Sequence, residues 1–86
     1  MGQEITRQDM AVMIYRSAKY LGIETADEET NTTFTDDADI ELYAREAIYS
    51  LKNMNILNGM NDGSYSPQGL STKAQAAALI CRMLGF

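Results

Sequence analysis

Apolar residues recur at helical spacing in three stretches of the chain, and a run of turn formers separates the last two. In the first stretch Met10, Met13, Ile14, Ala18 and Leu21 follow Thr6 at i, i+3, i+4, i+8 and i+11, the spacing of one helix face. Thr6 is placed as an N-cap, and Asp9 stands where a capping box carries Glu or Gln, an acid that favours the positive helix end. Ile5 and Met10 occupy the two positions of a hydrophobic staple, and Gly22 is the expected C′ residue. The second stretch carries the most continuous stripe: Ile40, Tyr43, Ala44, Ala47, Ile48, Leu51 and Met54. Asp37 and Asp39 are placed to cap this helix or favour its positive end, and Glu41, Arg45, Glu46 and Lys52 form its opposite face. The third helix is expected from Thr72, where Thr72-Lys73-Ala74-Gln75 is a Thr-x-x-Gln capping box, followed by Ala76, Leu79, Ile80, Met83 and Leu84. Between the second and third helices, Asn58-Gly59, Asp62-Gly63 and Pro67 predict a hairpin-like loop, with short extended pieces at Ile56-Leu57 and Ser64-Tyr65. The pattern is that of an all-α fold with three main helices.

The first and third helices are copies. A shift of 66 positions aligns Thr6 with Thr72, Arg7 with Lys73, Met13 with Leu79, Ile14 with Ile80 and Arg16 with Arg82. Cap, following cation, apolar stripe and late arginine all recur, which is the mark of a repeat protein. Residues 34–86 are expected to form one complete unit. Residues 1–33 are expected to hold the last helix of an earlier unit and a connector, so that the chain begins in mid-repeat.

Composition narrows the chemistry. The chain has 86 residues, no histidine and one cysteine, Cys81. That excludes His-dependent triads, Cys/His zinc sites and an internal disulfide. No pair of nucleophile and base is present to support an enzyme. The net charge of −5 argues against a general grip on nucleic acid phosphates, and no apolar run is long enough to cross a membrane. The charge is uneven: residues 24–46 hold nine acids against Arg45 alone, while both flanks are slightly basic. The segment 24–33 lacks a helix or strand pattern and is expected to be a solvated acidic connector. Met1-Gly2-Gln3-Glu4 has neither the basic nor the apolar region of a signal peptide. Either a cytosolic protein or a piece of a longer secreted chain is consistent with that.

Taken together in order and spacing, the motifs resemble the S-layer homology family. Its repeats open Phe-x-Asp, as in Phe34-Thr35-Asp36. They continue through an aromatic-Ala-x-x-Ala-Ile-x-x-Leu helix, as in Tyr43-Ala44-Arg45-Glu46-Ala47-Ile48-Tyr49-Ser50-Leu51. A Gly-Ile-x-x-Gly-x-x-Asp-Gly-x-Phe-x-Pro loop follows, matched by Asn55 through Pro67 with Asn55 in place of the common Gly. The closing Ile-Thr-Arg-Ala-Glu motif is similar to Ile5-Thr6-Arg7-Gln8-Asp9 and, less closely, to Ser71-Thr72-Lys73-Ala74-Gln75. The resemblance implies a non-catalytic module that anchors secreted or S-layer proteins to the bacterial cell wall. It implies binding of secondary cell-wall polysaccharide, often carrying ketal-linked pyruvate, in grooves between neighbouring repeats of a spindle-shaped array. It places the module on the cell surface, beside neighbouring repeats or a second copy of the chain, with no cofactor or metal. Carried onto this sequence, the motif arginine is Arg7, its weaker counterpart is Lys73, and Asp39, Tyr43, Asn58 and Gly59 are residues of the following repeat expected to face a groove.

The residues themselves leave several roles open. Arg7 follows an N-cap, so a guanidinium stands beside helix-end amides, a combination suited to a carboxylate. Equally, it is placed to pair with an acid of the connector. Lys73 repeats the arrangement without the planar fork of an arginine. Tyr43 suits sugar stacking or core packing. Gly59 suits close ligand approach or a positive φ. Asn58-x-Met60-x-Asp62-Gly63 is similar to a calcium loop, but Met60 and Gly69 stand where oxygen ligands are needed, which excludes that site. Asn31-Thr32-Thr33 is a glycosylation sequon. Cys81 is expected to be a buried thiol, and Met10, Met13, Met54, Met60 and Met83 are expected to fill the core.

Overall fold

The computed structural model describes residues 5–27, 29, 33–57, 59 and 62–85. Helices α1 (Arg7–Tyr20), α2 (Leu42–Asn53) and α3 (Lys73–Leu84) follow one another, with a 3₁₀ turn at Asp37–Asp39 and two short strands, β1 (Ile5–Thr6) and β2 (Leu70–Ser71). Asn58, Met60 and the Asn31-Thr32 part of the sequon lie outside the described residues.

Local signals set the ends of α1 and α3. Thr6 is extended and its hydroxyl accepts the Asp9 amide at 3.2 Å. At the other end Gly22 has φ +77°. Its amide and that of Ile23 bond the carbonyls of Lys19 and Ala18 at 3.1 and 2.9 Å, a Schellman closure. In α3 both halves of the capping box form: the Gln75 amide bonds the Thr72 hydroxyl at 3.2 Å and the Thr72 amide bonds Gln75 Oε1 at 2.8 Å.

Helix α2 begins later than its stripe suggests. Ile40 is extended and buried rather than helical, and Glu41 is the N-cap residue, without a side-chain cap bond. Asp37 and Asp39 therefore do not cap α2. Asp37 instead turns toward Arg45 at 2.7 Å and accepts the Tyr49 hydroxyl at 2.6 Å.

The two strands are a tertiary product. They pair antiparallel, Ile5 with Ser71 and Thr6 with Leu70. Ser71 is the copy of Ile5 under the 66-residue shift, so the ladder relates the two copies by a local twofold. Among the described residues Ile56-Leu57 and Ser64-Tyr65 do not pair with each other. Ile56, Leu57 and Tyr65 enter the core instead, because burying three large apolar side chains is worth more than two unsupported hairpin bonds.

That core lies between α1 (Met10, Ala11, Ile14, Tyr15) and α2 (Ala44, Ala47, Ile48, Leu51), closed by Phe34, Ile40 and the loop residues. The Phe34 ring sits 5.6 Å from Tyr49 and 5.3 Å from Tyr65. Asp36, from the same Phe-x-Asp segment, accepts the amides of Tyr65 and Ser66 at 2.9 and 2.8 Å, holding Ser66 at φ +60°.

Three expectations are corrected here. The connector is not simply solvated: Ser50 Oγ bonds the Ala26 carbonyl at 2.6 Å, and Asn53 Nδ2 bonds the carbonyls of Asp27 and Glu29 at 2.7 Å each. Its backbone polar groups needed partners, and α2 supplies them. Met13 is 44% exposed because it lies beyond the edge of the α1 face that meets α2. Cys81 is exposed because α3 fully buries only Ala76. The α1 residues Ala11, Ile14, Tyr15 and Ala18 are buried, whereas of their α3 copies Ala77, Cys81 and Leu84 are exposed and Ile80 is only partly covered.

Candidate functional site

Arg7 opens α1 directly after the Thr6 cap. Its own amide bonds the Gly69 carbonyl at 2.8 Å, and the next amide, of Gln8, bonds the Pro67 carbonyl at 3.1 Å. With Asp9 taken by Thr6, the first three amides of the helix all have protein partners. The expected open positive helix end beside Arg7 is thus filled by segment 67–69, and any anion affinity here rests on side chains.

The Arg7 side chain is built in. Nε donates to the Tyr65 carbonyl at 2.8 Å, the guanidinium carbon lies 4.7 Å from the centre of the Tyr65 ring, and the Tyr65 hydroxyl donates to the Arg7 carbonyl at 2.7 Å. Burial pushes the Tyr65 phenol well above the ordinary tyrosine range, so it remains a neutral donor. This clamp leaves both Nη groups of Arg7 without a protein partner among the described residues. Arg7 lines a pocket of about 290 Å³ together with Met10, Leu57, Gln75, Ala78, Leu79 and Arg82. Arg82 reaches it from the last turn of α3, with Nη1 on the Ile56 carbonyl at 3.0 Å. Among the described residues no carboxylate lines the pocket. Among the described residues neither arginine forms an ion pair, so the pairing of Arg7 with a connector acid is not seen; the ion pair found there joins Arg45 to Asp37.

The other candidates lie elsewhere. Lys73 is exposed in the first turn of α3 and is not part of the pocket wall. Tyr43 is 59% exposed, so it is off the core. Its hydroxyl donates to Asp9 Oδ1, a bond that raises the phenol above its usual range. With Val12, Met13 and Arg16 it borders a separate surface hollow. Asp39 borders a third hollow with Asp36, Glu41 and Pro67, whose carboxylates repel an anion. Gly59 is closely packed. Its hydrogen faces the Phe34 ring and the Ser64 carbonyl, where a Cβ would come within 2.6 Å of both, so it is needed for packing. Asn58 lies outside the described residues.

Sequence reasoning missed Arg82 and Gln75 as wall residues. A signal was present for Arg82: it is the late arginine that recurs with Arg16. Among the described residues no group of three or more acids or thiols is placed to hold a metal, and no helix is long and apolar enough to cross a membrane.

The S-layer homology domain model matches residues 33–77, about half of the sequence. The chain belongs to the S-layer homology family. It is 30% identical over 82 residues to an endoglucanase of Bacillus sp. (strain KSM-635), covering 95% of this chain and 9% of that protein. It is 32% identical over 80 residues to an amylopullulanase of Thermoanaerobacterium thermosulfurigenes, covering 93% of this chain and 4% of the relative. An exoglucanase XynX of Acetivibrio thermocellus is 32% identical over 83 residues, 7% of its length. The chain thus spans less than a tenth of each relative. No solved structure gives a significant match. Membership makes this S-layer homology segment a non-catalytic anchoring module of the cell surface.

Proposed function

We propose that the module anchors its parent protein by binding secondary cell-wall polysaccharide through an acidic substituent, ketal-linked pyruvate, at the Arg7 pocket. One observation carries this reading: in a chain of net charge −5, a pocket with a clamped guanidinium and apolar Met10, Leu57 and Leu79 in its wall has no carboxylate among the described residues that line it. A pyruvate ketal offers a carboxylate for the fork and a methyl group for the floor. Residues 34–86 act in this reading as a complete repeat and residues 1–33 as the end of the preceding one, with Lys73 opening the corresponding weaker site toward a further repeat. Purified wall polysaccharide should pull down the chain, and Arg7→Ala should abolish capture. Capture of Arg7→Ala at the wild-type level would dismiss the pocket, and no capture of the wild type would dismiss the function.

The uncovered face of α3 supports a second, compatible role in self-association. The residues that α1 buries against α2 have α3 copies left largely open. Light scattering should show association rising with concentration; a clean monomer at millimolar concentration would count against it.

A further inference from the structure

We propose that Arg82 is the second anion-binding residue of the pocket, and that a bound carboxylate bridges the start of α1 to the last turn of α3. The proposal rests on the reading of the Arg7 pocket given above. Arg7 and Arg82 come from helices at opposite ends of the chain, yet both line one hollow. Each is held by one N–H on a main-chain carbonyl, Tyr65 for Arg7 and Ile56 for Arg82. Those bonds tether both guanidiniums while leaving most of their five donors unused. Two cations that line a common space repel each other, and no carboxylate among the described wall residues relieves the repulsion. A carboxylate has four lone-pair sites, enough to take a bidentate bond from one fork and a further bond from the other.

The floor and rim refine the class of ligand. Met10, Leu57 and Leu79 suit a small alkyl group next to the carboxylate. Gln75 Oε1 accepts the Thr72 amide, and its amide nitrogen is a donor for a sugar oxygen. A free hydrated phosphate would satisfy the forks but leave the floor bare. The bridge also has a mechanical effect. Helix α3 fully buries only Ala76, so a ligand that ties Arg82 to Arg7 adds an attachment where packing supplies little, and slows the opening of α3.

The test uses the isotope-labelled 86-residue chain titrated with a methyl glycoside bearing a pyruvate ketal, the methyl ester of that ketal, and inorganic phosphate. The acid should shift the Nε–Hε signals of both Arg7 and Arg82 and slow amide exchange along α3, while the ester does neither and phosphate binds more weakly. Arg82→Gln should weaken binding about tenfold, and Arg82→Lys should weaken it less. Wild-type affinity in both Arg82 variants, with loss in Arg7→Gln, would remove Arg82 and leave the Arg7 pocket standing. If Arg82→Gln loses its folded spectrum, Arg82→Lys decides: wild-type affinity there overturns the proposal. No response of the wild type to the acid, or wild-type affinity in both Arg7→Gln and Arg82→Gln, would overturn the bridge and the pocket together.

Discussion

Arg7 and Tyr65 hold each other by two reciprocal bonds across 58 residues of sequence: Arg7 Nε to the Tyr65 carbonyl, and the Tyr65 hydroxyl to the Arg7 carbonyl. The pair ties the first residue of α1 to the loop before β2 and sets the direction of the guanidinium. Tyr65→Phe keeps the ring under the cation but removes one of the two bonds. It should cost about 1 kcal/mol in urea denaturation and broaden the Arg7 Nε–Hε signal. A sharp, unshifted signal in Tyr65→Phe would show that the hydroxyl does not orient Arg7.

Gly59 and Asn55 make opposite demands within one loop. Gly59→Ala drives a methyl group into the Phe34 ring and the Ser64 backbone, so it should destabilise by about 2 kcal/mol through overpacking. Asn55 has φ +62°, the conformation that explains a glycine at this place in the family motif. Asn55→Gly should be tolerated, whereas Asn55→Ala should lose about 1 kcal/mol. Thermal melts of the three variants check both statements.

Asp37 should give the chain an acid-sensitive edge. Its bonds from Arg45 and then Tyr49 hold its carboxyl below the ordinary 3.8. A group depressed in the folded state contributes stability above its unfolded value and loses it as pH falls through the folded value. Tyr49 is pushed up to about 12, by burial first and then by Asp37, so it stays protonated and keeps donating throughout this range. Melting temperature should therefore fall more steeply below about pH 4 in the wild type than in Asp37→Asn. Parallel curves for the two proteins would refute this.

Ser71 is fully buried and its hydroxyl has no partner among the described residues. It stands where the other copy of the motif has Ile5. Ser71→Ala removes an unsatisfied polar group and should leave stability unchanged or raise it by up to about 1 kcal/mol. A loss of more than that in chemical denaturation would show that the hydroxyl has a partner after all.

The helix signals were legible because they are local. Thr6, Gly22, Thr72 and Gln75 act on amides and carbonyls within a few residues of themselves, so their spacing alone carries the cap geometry. The site was legible only in part. Arg7 stood out through its motif, but its partners Tyr65 and Arg82 lie far along the chain, and Lys73, Tyr43 and Asp39 shared that motif logic without sharing the pocket. Asp37 and Asp39 misled for a related reason. Their position before an apolar stripe suits a cap, yet Asp37 gains more from Arg45 and Tyr49, which become neighbours only once α2 has formed.

By itself, the sequence determined three helices, two of them copies, and the repeat family to which they belong. These follow from periodicity and from short-range capping, which need no knowledge of distant residues. Only the tertiary structure decided that Ile5 pairs with Ser71, that the amides at the start of α1 are already filled, and that Arg7 and Arg82 line one pocket. Each of those outcomes depends on which distant backbone carbonyl reaches a donor first, and that competition is settled by burial of the core between α1 and α2.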